Sequence, residues 1–213
     1  MQRRVNPNRM ELLRLRSRLS TAERGHKLLK DKHDELMQRF LELVWESRDL
    51  RVKVEEQLEK VSTSMVMATA TASPAVIESA LLFPKQRLDV QMRHDSIVGV
   101  PIVRFDHSWE SVGGEADHYP YGPAHTPADL DAAIKTLSEA LSDLVRLAEL
   151  EKAAELLAVE LERTRRRVNA LEYVLIPQLQ ESIRYITMKL DEAERSNIVR
   201  LMKVKQMNEL AYL

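Results

Sequence analysis

From Leu12 onward the chain sets apolar residues at alternating steps of three and four. One series falls every seventh residue, at Leu15, Ala22, Leu29, Leu36, Leu43 and Leu50. A companion series reads Leu12, Leu19, His26, His33, Phe40, Ser47, Val54 and Val61. A seam sustained this long marks a coiled-coil helix, because a 3.5-residue repeat keeps one stripe turned toward a partner. The charged residues between, as in KDKHDE, fall mostly outside the seam. The pattern predicts a helix that starts after NPN, with Asn6 or Asn8 as its cap near Pro7, and runs to about Ser73.

A second seam reads Ala154, Leu157, Leu161, Val168, Leu171 and Leu175, then resumes as Leu179, Ile183, Ile186, Leu190 and Ala193. The two parts are out of register: Leu175 to Leu179 is four residues where the first part needs three. The slip falls beside Pro177, which has no N–H for the carbonyl of Tyr173 and so predicts a bend or a loosened turn there. This second helix is expected to begin near Thr126-Pro127-Ala128-Asp129. Thr126 would be the cap and Pro127 the first helical residue, with Asp129 and Asp131 at the positive end of the helix dipole.

Helix breakers gather between the two seams. Four of the five glycines lie between 99 and 122, and six of the eight prolines between 74 and 127. Within this block LDVQM (88–92) alternates apolar and polar, RHDS offers a turn, and IVGVPIVRF (97–105) is rich in β-branched residues. Together they predict a β-hairpin, with Pro101 confining part of it to an edge. Residues 74–87 read as a short helix or a linker, and VGGEADHYPYGPAH as loop. The chain thus divides into a long helix over 1–73, an insert over 74–125, and a second long helix over 126–213, bent near Pro177.

Helices of ~65 and ~85 residues would extend roughly 100 and 125 Å. Neither is stable in water without burying its stripe. The nearest partner for each is the other, since the insert is long enough to reverse the chain. The expected fold class is all-α: a long antiparallel two-helix coiled coil with a small insert containing a β-hairpin. A parallel homodimer is the structural rival, and His26 and His33 in the seam do not decide between them.

Composition supports an elongated helical protein. Charged residues make up 31% and aromatics only 5%, while 213 residues include just five glycines and eight prolines. A compact core of this size would use more aromatic bulk and more turns. There is no cysteine, which excludes disulfides and thiolate metal sites. Neither a signal-peptide stretch at the start nor a run of roughly 20 apolar residues occurs. The expectation is a cytoplasmic chain with no direct membrane insertion.

The net charge of −1 averages over a strong asymmetry. Residues 1–18 carry six arginines against Glu11, and residues 195–213 carry Arg195, Arg200, Lys203 and Lys205 against Glu209. In an antiparallel hairpin these segments would meet at one positive end. Residues 105–162 hold 13 acidic and three basic residues. The run RTRRR, with Arg163, Arg165, Arg166 and Arg167, marks the boundary between the zones. Its bland reading is a solvated helix face; its functional reading is a collar for anions or for a partner's carboxylates.

Catalytic motifs do not emerge. Neither GxxxxGK[ST] nor GxGxxG occurs, and Gly113-Gly114 has no lysine in phosphate-loop position, which argues against nucleotide binding. There is no HExxH. His118 and His125 could ligate a metal, but two histidines in a loop are usually surface residues. Paired carboxylates such as Glu55-Glu56 follow a helical surface pattern. No catalytic residue, cofactor or metal is expected.

Two stretches carry a resemblance. NPNRMELLRLRSRLSTAERGHKLLKDKHDELM (6–37) and TRRRVNALEYVLIPQLQESIRYITMKLDEAER (164–195) are similar to the signature blocks of the D subunit of the V-type and A-type rotary ATPases, and RLMKVK (200–205) fits that family's basic ending. The likeness spans the whole chain and is weakest over 74–125. It implies a central-stalk rotor built as an antiparallel coiled coil, with both termini reaching into a ring of alternating A and B subunits that binds and hydrolyses ATP. It further implies that the F subunit binds the side of the shaft and that a funnel-like C- or d-type subunit links it to a membrane ring carrying protons or sodium ions. Such a chain is a non-catalytic, peripheral part of a membrane-bound complex. On this resemblance Arg3, Arg4, Arg9, Arg14, Arg163, Arg165, Arg166, Arg167, Arg200, Lys203 and Lys205 are the candidates to face the ring or the F subunit, with Pro177 as the bend.

The alternative is a basic-ended structural coiled coil that binds nucleic acid or a membrane surface. A nucleic-acid binder would show strongly salt-dependent affinity, yet the chain has no base-reading motif and few aromatics for stacking. A membrane scaffold would need an exposed aromatic-aliphatic wedge, and none is evident. The expectation is no nucleic acid.

Overall fold

A computed structural model describes residues 6–111, 119–122 and 126–211. The elements in order are α1 (Arg9–Thr71), α2 (Pro74–Leu81), β1 (Gln86–Ile97), β2 (Val100–Ser111), α3 (Ala128–Ala170), a π-helical turn (Leu171–Leu175) and α4 (Ile176–Ala211). Residues 1–34 with 162–213 form one compact unit and residues 35–161 a second. Each is a pair of antiparallel helical segments, so the expected coiled coil with a β-hairpin insert is the fold observed.

In the first unit α1 begins at an asparagine cap. Asn8 rather than Asn6 supplies it: its Oδ1 accepts the Glu11 N–H at 2.7 Å, satisfying one of the first-turn donors. Leu15, Ala22, Leu179 and Ile186 are buried together, flanked by Leu12, Leu19, Leu171, Leu175, Ile183 and Leu190. All are seam residues. Arg9 pairs with Glu194 and His26 Nε2 lies 3.4 Å from Glu172, so numbers rise on one segment as they fall on the other. The seam slot left between Leu161 and Val168 is filled by Thr164, only 1% exposed. Among the described residues its hydroxyl has no hydrogen-bond partner.

The register slip has a visible cause. The Ile176 N–H donates to the Leu171 carbonyl, five residues back rather than four. One such turn takes up one extra residue, which is the amount by which the seam slips. Leu171 and Leu175 before it and Leu179 and Ile186 after it therefore reach the same core. The seam fades sooner than its periodicity suggested: Ala193 is exposed, as is every residue from Asp191 to Asn208.

In the second unit, polar pairs tie α1 to α3 along their length. Arg51 pairs with Glu151, Arg146 with Glu46 at 3.0 Å, and Lys53 with Asp143 at 2.8 Å. Gln57 also donates to Asp143, at 3.1 Å. α1 ends where Ser73 adopts an extended backbone before Pro74, as residues preceding proline do. α2 then packs Ile77 and Ala80 against Ala68 and Leu130. α3 starts one residue later than predicted, at Ala128. Its capping carbonyl is that of Pro127, which accepts the Leu130 N–H at 3.0 Å. The Thr126 hydroxyl instead donates to the Gly122 carbonyl at 3.4 Å.

The insert holds a β-hairpin, but its turn is not at RHDS. β1 and β2 pair in register from Gln86↔Ser111 to Ile97↔Val100, leaving Val98 and Gly99 as a two-residue turn with φ of 50° and 75°. Two left-handed residues match the twist of a hairpin. Valine almost never takes that conformation, so the sequence concealed the turn. Pro101 opposes Ser96 in a pair that exchanges no ladder bonds, so its missing N–H would have pointed outward. Arg93 lies directly across from Arg104, a repulsive pairing. It is relieved diagonally by Arg104–Asp95 at 2.8 Å and Arg93–Asp106 at 3.5 Å.

Candidate partner-binding surfaces

A coiled coil uses its apolar seam on itself, so what it offers to others is what lies off the seam. Three such surfaces stand out. The first is the last stretch of α4. Ile198, Val199, Leu201, Met202, Val204 and Met207 are each more than half exposed, and Arg200, Lys203 and Lys205 are interleaved with them. Nearby, Arg9, Leu12, Leu13, Thr187, Leu190 and Glu194 border an open groove of about 320 Å³, and Met10 is 82% exposed.

The second surface lies on α1. Met37, Leu41 and Trp45 follow at four-residue steps, Val44 sits beside them, and Arg48 and Val52 continue the line; all are exposed. Residues so spaced share one face. The Arg48 guanidinium lies 5.7 Å from the centre of the Trp45 ring, close enough for a cation–π attraction. In the sequence the stronger periodicity of the seam masks this stripe, though the same spacing rule finds it. The third surface is the Leu81-Leu82-Phe83 run at the end of α2, with Phe83 74% exposed.

The basic candidates are scattered rather than gathered. Arg3 and Arg4 lie outside the described residues. Arg9 is paired with Glu194, Arg14 approaches Glu11 at 3.8 Å, and Arg166 pairs with Glu162 on its own helix. Arg163, Arg165, Arg167, Arg200, Lys203 and Lys205 are exposed, as is Pro177. Exposed pairs of this kind contribute only a fraction of a kcal/mol, about 0.2–1, so they exchange readily for a partner's groups.

Among the described residues, three electrostatic perturbations fall at packed or paired positions. The Lys53 ammonium, helped by Gln57, holds the Asp143 carboxyl below its ordinary range against the opposing effect of burial. Burial, and then the 2.6 Å hydrogen bond to Asp131, pushes the Tyr121 hydroxyl upward. A hydrogen bond from the Ser96 N–H, assisted by Arg104, lowers the Asp95 carboxyl. Among the described residues no three His, Asp or Glu side chains converge as a metal site. His118 and His125 lie outside the described residues. No described helix is long and apolar enough to cross a membrane.

Paired helices with an intramolecular core, bare apolar stripes and basic flanks define a coiled-coil component of a larger assembly. Comparison with known proteins gives the particular assembly. The family model for the D subunit of ATP synthase matches residues 11–206. The V-type ATP synthase D subunit of Acetivibrio thermocellus is 56% identical over 206 residues, covering 96% of this chain and 91% of the relative. That of Clostridium botulinum (strain Langeland) is 50% identical over 205 residues, 96% and 95% of the two chains. That of Thermoanaerobacter sp. (strain X514) is 51% identical over 203 residues, 95% and 96% of the two. The chain belongs to the ATP synthase D-subunit family, and it is a stalk component of a V-type rotary ATPase.

Proposed function

We propose that the chain is the non-catalytic rotor of its complex, carrying torque between an A3B3 ring that makes or hydrolyses ATP and a membrane ring that moves protons or sodium ions. The observation that carries this reading is the exposed end of α4, where apolar and basic residues alternate with no described helix of this chain against them. Here Arg200, Lys203 and Lys205, with Arg9 and Arg14 of α1, face the A and B subunits. A rotating contact must hold without locking, and weak exchangeable ion pairs over a modest apolar surface meet that need.

The F subunit docks on the flank of the second unit, where the Met37–Trp45–Val52 stripe supplies the aromatic anchor that protein interfaces favour. The cluster Arg163, Arg165, Arg166 and Arg167 adds partner contacts. The exposed Leu82-Phe83 run serves the C- or d-type subunit. A helix bent near Pro177 would make the rotor asymmetric, so that three equivalent ring positions are pushed into three different states. The complex places this chain on the cytoplasmic side as a peripheral component.

The test is reconstitution. A chain ending at Glu194 should still fold and still capture the F subunit, but should lose co-purification with the A and B subunits. Retention of the ring by the shortened chain would refute the assignment of α4. Strong, salt-dependent binding to DNA in the absence of any ring component would favour the nucleic-acid alternative instead.

A further inference from the structure

The hairpin of the second unit is fastened to the helices along β2, where Val100 and Ile102 are buried, 5% and 3% exposed, and by contacts of different character at its tip and farther along. At its tip, Val100 is buried with Leu36, Leu157 and Leu161, and Ile97 and Val98 pack on the same cluster. Farther along β2, the Phe105 N–H donates to Glu149 Oε2 at 3.0 Å. Phe105 opposes Met92, and counting alternate pairs back from the turn makes this a pair without ladder bonds. Its N–H therefore points away from β1 and would otherwise lack a partner. Glu149 is itself buried, 8% exposed, and its other oxygen accepts Arg146 at 2.8 Å. Arg146 in turn reaches Glu46 on α1.

The tip is also strained. Val98 has φ of 50°, a left-handed conformation that β-branched residues avoid and that surrounding contacts must enforce. A Val-Gly pair fits a type II turn without strain, with valine at negative φ and glycine positive. That turn would splay the two strands and pull Val98 and Val100 from the helices.

We propose that the β1–β2 hairpin is a releasable strap, docked on the Leu36–Leu157–Leu161 face by its left-handed Val98 turn and by the Glu149 bond to the Phe105 N–H. Release relaxes the turn and bares that apolar face, while the paired helices beneath stay folded. The inference concerns the second unit alone and does not depend on the rotor reading.

The natural absence of cysteine allows a direct test by native-state thiol labelling on the full chain. Val100→Cys reports the tip. Val54→Cys, 2% exposed in the helical seam of the same unit, reports opening of the helices. The tip cysteine should react at least about tenfold faster than the seam cysteine, since local opening needs less energy than global opening. Glu149→Ala, which orphans the Phe105 N–H, should raise the tip rate about tenfold further and leave the seam rate unchanged. Glu149→Gln, which keeps an acceptor, should raise it less. Equal rates at the two cysteines, or variants that move both together, would overturn the proposal and make the hairpin a fixed part of the core.

Discussion

Deleting Pro177 outright should cost the protein nothing in core packing. In the native chain Leu175 and Leu179 are separated by four residues and a π-helical turn absorbs the surplus. Without Pro177 the same leucines fall three apart, and Leu179, Ile183, Ile186 and Leu190 continue the upstream seam in plain α-helix. The imino ring also disappears, and proline in a helix interior is about 3 kcal/mol less favourable than alanine. The deletion should therefore raise the unfolding free energy, by up to about 3 kcal/mol. The opposite lesion is an alanine inserted after Pro177, which adds a second surplus residue. It would turn Leu179 and Ile186, 6% and 0% exposed, out of the seam by about 100°. At about 1.5–3 kcal/mol for each side chain returned to water, the loss is roughly 3–6 kcal/mol. Urea unfolding followed by circular dichroism at the helical band measures both. If the deletion unfolds as early as the insertion, the π turn is not a register adapter and the reasoning fails.

Three further outcomes follow from single side chains. The Asp143 carboxyl is held low by Lys53, so its contribution is complete above the unfolded value of about 3.9 and is lost as pH falls through the lower folded value. Asp143→Asn should thus lower the melting temperature near neutrality and shrink the difference from wild type below about pH 4, as melts across that range will show. Trp45→Ala should change the unfolding free energy by less than about 0.5 kcal/mol. It should weaken capture of the F subunit by about thirtyfold, the loss of a 2 kcal/mol anchor, measurable by titration calorimetry. Asn8→Ala should cost about 1 kcal/mol through the lost cap, and hydrogen exchange should rise first at the Glu11 amide.

The helices were legible because their signal repeats. Each seam residue from Leu12 to Val61 is buried or half-buried, and so is each from Ala154 to Leu190, since periodicity reports burial directly. Thr164 shows where that logic stops: a hydroxyl breaks the apolar series although the position is among the most buried. The π turn was legible only as its effect, a one-residue slip, because no residue type specifies five-residue bonding. The hairpin was legible as strands but not as a turn, since tertiary packing holds Val98 where its own preference would not. The candidate binding stripes were the least legible. An exposed leucine means little alone, and Met37, Leu41 and Trp45 gain meaning only once the seam is known to lie elsewhere.

The stretch of α4 from Asp191 to Asn208, with every residue facing water, bears on how the machine is put together. A lone helix of that length is only marginally stable in water, so on the proposed function part of its order would come from the subunits that enclose it. The free chain would then melt from this tip first, and the affinity of assembly would be diminished by the entropy of winding it. On the proposed function, insertion into a ring would be a checkpoint: a socket of the wrong shape fails to repay that entropy, and the terminus stays frayed and open to proteases.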